Sequence, residues 1–143
     1  MKKAAVIYWS GTGNTEAMAN AVLEGMKAAG AVASLLTPDQ VTDASLSGVS
    51  SVAMGCPAMG SEVLEEMEFQ PMFDACKRSL GGKRVALFGS YGWGDGQWMR
   101  DWCERVKEDG AVLFSEEGLI CNETPDDDVQ AACRKLGADL ANW

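Results

Sequence analysis

A run of small polar residues at positions 10–15, Ser-Gly-Thr-Gly-Asn-Thr, has the composition of an anion site. Glycines allow tight turns, and hydroxyl and amide side chains stand where a predicted helix begins and free backbone N–H groups point outward. This first loop suits a phosphate, although an ordinary helix cap within a glycine turn is the alternative. It lacks the Lys of a Walker A loop, and Glu16 stands where a GxGxxG motif needs its third Gly.

A second loop, residues 56–62, follows an apolar run. Its last four residues predict a type II′ β-turn, because Gly60 stands at the first central position, where φ is positive. Met59 is apolar in an otherwise turn-like segment. Either Met59 contacts a ligand, or it covers the core while Glu62 begins a helix.

A third loop, residues 89–96, alternates glycines with aromatic and polar residues. Trp93 lies between Gly92 and Gly94 and belongs to no apolar stripe of a helix or strand. A large aromatic side chain on such a backbone is suited to stacking on a planar ligand. The alternative is that Trp93 folds back onto the core.

Charge and composition exclude several classes of function. The chain of 143 residues carries 12 Lys and Arg against 21 Asp and Glu, a net charge of −9, which disfavours nucleic acid as a partner. No apolar run approaches the roughly 20 residues of a membrane-spanning helix. The apolar run after Lys3 is too short for a signal peptide, and no small-residue cleavage site follows it, so we expect a cytoplasmic protein.

Histidine is absent, which removes the commonest general base, the Ser-His-Asp and Cys-His schemes, and most zinc sites. The five cysteines form no CxxC motif, and their odd number and wide spacing indicate reduced, mostly buried thiols. We therefore expect neither a catalytic residue nor a metal site. Any chemistry is expected to come from a bound cofactor.

Apolar runs and helical periods alternate along the whole chain, without a repeat or linker. The predicted strands are 4–9, 31–36, 49–55 and 85–89, with further strand material at 111–114 and 119–121; the predicted helices are 15–29, 69–80, 98–106 and 129–140, with a poorly formed helix between Pro38 and Gly48. This alternation predicts one α/β domain, residues 1–143, with helices on both faces of a mostly parallel sheet. Ligands of such sheets bind beyond the carboxyl ends of the strands, where the three loops lie.

The three loops contain no Lys or Arg, and acidic residues surround them. These are Glu16, Glu62, Glu65, Glu66, Glu68 and Asp95, with Asp126, Asp127 and Asp128 on the same face if the last helix starts there. A phosphorylated ligand would therefore be held by amides and hydroxyls, and further negative charge on it would be opposed.

The loops together resemble those of the short-chain flavodoxins. The matching segments are YWSGTGNTE at 8–16, GCPAMGSE at 55–62 and FGSYGWG at 88–94, and the similarity extends over the whole chain. The resemblance implies a five-stranded parallel sheet of order 2-1-3-4-5, an order taken from the family rather than worked out from this sequence. It also implies non-covalently bound FMN and a low-potential one-electron carrier, not an enzyme, that shuttles between semiquinone and hydroquinone.

The resemblance also implies roles for individual residues. Met59 would pack on the inner face of the flavin and Trp93 on the outer face, Glu62 would accept from flavin N3–H, and the Gly60–Ser61 peptide would flip on reduction. Phosphate, ribityl and ring contacts extend the implied cofactor-binding set to Ser10, Gly11, Thr12, Gly13, Asn14, Thr15, Pro57, Ala58, Ser90, Tyr91, Gly92, Gly94 and Asn122. The partners implied are basic surfaces of reductases and oxidoreductases, met by a monomer.

Three other classes of protein fit less well. An FMN-dependent quinone or NAD(P)H reductase needs a second pocket, for which this short chain leaves little sequence. A receiver domain needs an acidic pair after strand one and an acceptor Asp after strand three, where Ser10-Gly11 and Cys56-Pro57 stand. A low-molecular-weight phosphatase needs an Arg in the loop after its Cys, and the loop after Cys56 has none.

Overall fold

Parallel strands alternate with helices along the chain. The computed structural model describes residues 2–60, 62–115 and 117–143. The strands are β1 Lys3–Tyr8, β2 Val32–Leu36, β3 Ser51–Gly55, β4 Arg84–Tyr91, β5 Val112–Leu113 and β6 Leu119–Asn122. The helices are α1 Asn14–Ala28, α2 Asp43–Leu46, α3 Phe69–Cys76, α4 Gln97–Glu108 and α5 Asp127–Asn142, with 3-10 turns at Pro38–Gln40 and Lys77–Leu80.

The sheet has the strand order β2-β1-β3-β4 followed by β5 and β6, and every pairing of these strands is parallel. The predicted order 2-1-3-4-5 is confirmed. The fifth position is divided, because β5 pairs with Arg84 and Val85 while β6 pairs with the segment from Phe88 to Tyr91. Between these two short strands the backbone of Ser115 is left-handed, with φ 65°.

Two apolar layers cover the two faces of the sheet, as the uninterrupted apolar strands predict. Side chains of α1 and α5 pack on one face, and those of α3 and α4 pack on the other. The second layer is aromatic: Trp102 meets the rings of Phe69 and Phe73 edge-on, with centroids 5.3 and 6.4 Å apart. The α1–α5 contact is so close that a Cβ at Gly25 would collide with the carbonyl oxygen of Arg134. This contact fixes α1, which carries the first loop at its amino end.

One element differs from the sequence-based prediction in a way that bears on the site. β4 runs to Tyr91 instead of ending at Gly89, because β6 pairs with its last residues. Part of the third loop is therefore strand. Between residues 38 and 48 the chain forms only a 3-10 turn and the single-turn α2, in agreement with the poorly formed helix expected there. Within the described ranges, no helix has the length and apolarity to cross a membrane.

Candidate functional site

A cavity of about 230 Å³ lies at the carboxyl edge of the sheet, where the three loops meet. It is lined by Trp9, Gly11, Thr12, Asn14, Pro57, Ala58, Met59, Ser90, Tyr91 and Gly92. All of these except Trp9 belong to the predicted cofactor-binding set. The carboxyl ends of the adjacent strands β1, β3 and β4 therefore bring residues of all three loops together, as expected for a parallel sheet of this order.

The first loop is shaped by its own hydrogen bonds. The Ser10 hydroxyl accepts the N–H of Gly13 at 3.0 Å, and Gly13, the residue before α1, is in the left-handed region, at φ 98°. Thr15 is buried, and its hydroxyl accepts the N–H of Ser90 at 3.3 Å, which ties the first loop to the end of β4. Ser10, Gly13 and Thr15 thus shape the loop rather than line the cavity.

The amino end of α1 presents unpaired backbone donors. Within the described part of the chain, no side chain caps α1, and no protein atom accepts from the N–H groups of Gly11, Thr12, Asn14, Thr15 or Glu16. These donors lie at the positive end of a helix of 15 residues. Such an arrangement binds an anion without a cation, so the loop fits a phosphate group.

The second loop is closed by a short antiparallel bridge between Met59 and Val63, whose backbone N–H groups and carbonyls pair at 2.8 and 3.0 Å. Gly60 has φ 51°, the positive value that the predicted turn requires. Met59 is 36% exposed, so it is not part of the core. Ser61, the other predicted residue of this turn, lies outside the described residues.

Glu62 connects the second loop to the third. Its Oε1 accepts the N–H groups of Asp95, Gly96 and Gln97 at 3.3, 3.1 and 3.0 Å. The carboxylate thereby caps α4, whose own N-cap residue, a glycine, has no side chain to do so. The backbone of Glu62 is left-handed, with φ 56°. Acceptance from flavin N3–H by the same carboxylate stays a prediction.

Glu65 is a residue of this region whose role the sequence did not reveal. Its carboxylate is buried and accepts the N–H groups of Met67, Glu68 and Phe69 at 2.8, 2.7 and 2.8 Å. Burial opposes ionisation of Glu65, but these hydrogen bonds outweigh it and lower the pKa of the carboxyl below its usual value. An acid four residues before the helical stripe that starts at Phe69 is the signal that predicts such a role.

The third loop leaves its aromatic side chain in the open. Trp93 is 65% exposed and does not fold back onto the core. Gly94 has φ 89°, and a Cβ there would lie 2.5 Å from the Glu62 carboxyl carbon, so only glycine fits between the loops. The Ser90 hydroxyl donates to the carbonyl of Glu123 at 2.7 Å. Asn122 is exposed, and its side-chain amide donates to the carbonyl of Tyr91 at 3.3 Å.

Trp9 is the cavity residue that the sequence-based prediction missed. The sequence places Trp9 at the end of the first strand and in the motif at 8–16 but predicts no cofactor contact for it, whereas β1 ends at Tyr8 and Trp9 lines the cavity. Its indole N–H donates to Glu68 at 2.6 Å. An aromatic residue directly before a glycine-rich loop, at the carboxyl end of a central strand, is the signal that could have identified it.

The cysteine beside the site is inert. The Cys56 thiol is buried and accepts the N–H of Glu65 at 3.4 Å. Burial raises its pKa to about 12, so it holds its proton at physiological pH. All five cysteines are free and buried, as the sequence predicted.

Comparison with known proteins identifies the family. The flavodoxin family model matches residues 6–136. Flavodoxins of Megasphaera elsdenii and Clostridium beijerinckii are 45% and 42% identical over 137 residues each, covering 95–96% of this chain and 96% and 98% of theirs. The solution structure of two-electron reduced Megasphaera elsdenii flavodoxin superimposes with a TM-score of 0.88 at 41% identity, over 98% of this chain and 99% of that one. An archaeal flavodoxin structure, 27% identical, also gives 0.88 over 98% and 96% of the two chains. The chain belongs to the flavodoxin family.

Proposed function

We propose that the three loops hold FMN with its phosphate on the first loop and its flavin ring between Met59 and Trp93. The cavity that all three loops line is the observation that carries this assignment. The unpaired N–H groups of the first loop suit the phosphate. The exposed ring of Trp93 and the half-exposed Met59 offer apolar surface for the two faces of a flat ring.

Flavodoxins bind FMN and transfer electrons between redox proteins, and this protein is an electron carrier of that family. When bound, FMN supplies the one-electron chemistry, cycling between its one- and two-electron reduced forms. The protein's own residues bind the cofactor, orient it and set the charge around it.

The proposed phosphate contacts involve no cation. Thr12 and Asn14 line the cavity together with backbone N–H groups, and no Lys or Arg lines it. Beside the third loop, the guanidinium of Arg100 pairs with Asp95 at 2.9 Å. A further negative charge on the cofactor is therefore not compensated, which makes the last reduction difficult and the protein a low-potential donor.

The remaining predicted contacts belong to the same proposal. With FMN bound, Gly60 would turn its peptide toward flavin N5 on reduction, because a glycine at positive φ crosses between turn forms with little strain. Gly60→Ala is then expected to narrow the separation between the two one-electron potentials in a redox titration. An unchanged separation would rule out the proposed flip of the Gly60–Ser61 peptide. Ser90, Tyr91, Gly92 and Asn122 would face the ribityl chain and the ring edge, and Glu62 would accept from N3–H.

The partners we propose are redox proteins with basic docking surfaces. Met67 is 84% exposed and Trp93 65% exposed, and Glu66 and Glu68, the neighbours of Met67 in the chain, are exposed as well. Exposed apolar side chains with carboxylates beside them suit a partner with a basic rim, and electron transfer should slow as salt rises. Rates that do not change between about 20 mM and 500 mM salt would contradict this.

Three broader features complete the proposal. The chain acts as one FMN-binding domain, residues 1–143. A net charge of −9 favours a monomer, which sedimentation of the purified protein tests. Five free thiols suit a reducing compartment such as the cytoplasm, which fractionation of cells tests.

Titration with FMN tests the central assignment. Stacking against the flavin quenches tryptophan fluorescence, so the wild-type chain should be quenched stoichiometrically and turn yellow. Trp93→Phe keeps an aromatic face and should retain most of the affinity, whereas Trp93→Ala should lose about tenfold. A wild-type chain that ignores FMN, or a Trp93→Ala variant with unchanged affinity, would contradict the assignment of the ring.

A further inference from the structure

The indole of Trp9 stands between two parts of the site. On one side it lines the cavity of the three loops. On the other it lines a second cavity, of about 300 Å³, together with acidic residues including Glu16, Asp39 and Glu68. The Trp9 backbone is fixed by its N–H, which donates to the carbonyl of Gly55 at 3.0 Å and continues the β1–β3 pairing.

The ring of Trp9 packs against the first loop. A Cβ placed on Gly11 would lie 3.1 Å from Trp9 Cη2 and 3.4 Å from Cζ3, so the ring lies directly against the Gly11 backbone. Gly11 carries one of the unpaired N–H groups and is exposed on its outer side. The position of the Trp9 ring therefore limits where this part of the loop can move.

The ring is held at its other edge by Glu68. The Trp9 indole N–H donates to Glu68 Oε2 at 2.6 Å, a bond between residues 59 positions apart. Glu68 is itself fixed, because its backbone N–H donates to the buried Glu65 carboxylate at 2.7 Å. A continuous chain of contacts thus runs from the buried carboxylate through Glu68 and Trp9 to Gly11.

We infer that Trp9, held by Glu68, is a positioning residue that keeps the first loop in the shape that binds phosphate. It thereby sets the preference of the site for a flavin that carries a phosphate over one that does not. This inference rests on the proposed placement of FMN. The quantity that it governs is the ratio of the affinities for FMN and riboflavin, because only FMN reaches the first loop with a phosphate.

Trp9→Phe is the direct test, because phenylalanine keeps an aromatic ring and removes the N–H donor. The full-length chain is titrated with FMN and with riboflavin, and the two dissociation constants are compared. We expect the FMN-to-riboflavin affinity ratio to fall about fivefold, the usual effect of one hydrogen bond of this kind. If Trp9 had a merely structural role, Trp9→Phe would lower the affinities for FMN and for riboflavin by the same factor and leave their ratio unchanged.

Substitutions of Glu68 separate the bond from the charge. Glu68→Ala removes both, and the ratio should fall about as far as in Trp9→Phe. Glu68→Gln removes the charge but keeps an acceptor oxygen, so the ratio should stay at or above the wild-type value.

Glu66→Ala is the matched control: it removes the same charge two residues away, where the described residues give it no hydrogen bond or ion pair. Since loss of charge alone favours an anionic ligand, Glu66→Ala should not lower the ratio.

The outcomes distinguish this inference from the proposed function. A wild-type chain that binds FMN, with an unchanged ratio in Trp9→Phe and Glu68→Ala, overturns the role of Trp9 alone. A fall in Glu66→Ala equal to that in Glu68→Ala also overturns it, because Glu66 makes no bond to Trp9 and the bond would then not be the cause of the fall. A wild-type chain that binds no flavin would instead refute the proposed function.

Discussion

The first and second loops follow neighbouring strands at the same edge of the sheet, but different groups hold them. The first loop is shaped by a neutral hydroxyl, that of Ser10, bonded to an N–H three residues away. The second loop and the segment after it are held by carboxylates: Glu65 accepts three N–H groups at the start of α3, and Glu62 accepts three at the start of α4. The first loop leaves most of its backbone N–H groups without a protein acceptor. Carboxylates of the second loop and of the segment after it instead accept the N–H groups at two helix starts.

This difference divides the acidic residues around the site into two kinds. Glu62 and Glu65 each have a carboxylate oxygen engaged with backbone N–H groups, and Asp95 pairs with Arg100. Glu66 is exposed and has no hydrogen bond or ion pair within the described ranges. Charge that holds a helix start cannot be removed without changing the structure. Neutralising Glu62, Glu65 and Glu66 together would therefore mix loss of structure with loss of charge.

The largest effect is expected from Glu65→Ala. It leaves three N–H groups at the start of α3 without their buried acceptor, and we expect the free energy of unfolding to fall by about 3 kcal/mol. Urea unfolding at saturating FMN measures it. Glu66→Ala, the neighbouring exposed acid, is the control and should stay within about 0.5 kcal/mol of the wild type. Equal losses in the two variants would show that the three hydrogen bonds of Glu65 add nothing to the free energy of unfolding beyond the effect of an exposed acid.

The lowered pKa of Glu65 predicts how the stability of the folded protein changes with pH. The pKa of Glu65 is lowered in the folded protein, so its contribution to stability is complete above the unfolded value, about 4.3, and is lost as pH falls through the folded value. The stability difference between wild type and Glu65→Gln should therefore be constant from about pH 7 to 5 and shrink below about pH 4. A difference that grows on acidification would have the wrong sign.

The elements of the fold could be predicted because their signals are local. Apolar runs mark the strands, and helical stripes such as that of Trp98, Trp102 and Val106 mark the helices within a few residues. The first loop was predictable for the same reason, since its residues adjoin in the chain. The division of the fifth strand was not, because it depends on which residues of β4 find partners.

The contacts that hold the second loop could not be predicted in the same way. Glu62 meets its partners 33 to 35 residues further along the chain, and Trp9 meets Glu68 at a separation of 59. The sequence places Glu62 and Glu68 among the acidic residues around the loops, but it does not indicate the distant N–H groups that they accept. Only the packed structure shows which of them are engaged.

An effect of intermediate size is expected from Ser10→Ala, which removes the neutral hydrogen bond that shapes the first loop. The N–H of Gly13 loses its acceptor, and the loop gains freedom that phosphate binding must remove. We expect FMN affinity to fall about fivefold while the unfolding free energy of the FMN-free chain changes by less than about 0.5 kcal/mol. Fluorescence titration and urea unfolding measure the two. A large loss of stability with unchanged FMN affinity would contradict this, because the Ser10 bond would then stabilise the fold, as the Glu65 carboxylate does, and not the binding loop.

The smallest effect is expected from Glu66→Gln, which changes charge while leaving every described hydrogen bond in place. An exposed carboxylate near the site opposes a further negative charge on the cofactor by about 0.5 kcal/mol after screening, so the second one-electron potential should rise by about 20 mV. The shift should shrink at high salt, because the charge is exposed to solvent. Redox titrations at two ionic strengths measure it. A salt-independent shift would mean that Glu66, like Glu62 and Glu65, acts through structure. The division of the acids into two kinds would then fail at a residue for which the described part of the chain gives no hydrogen bond or ion pair.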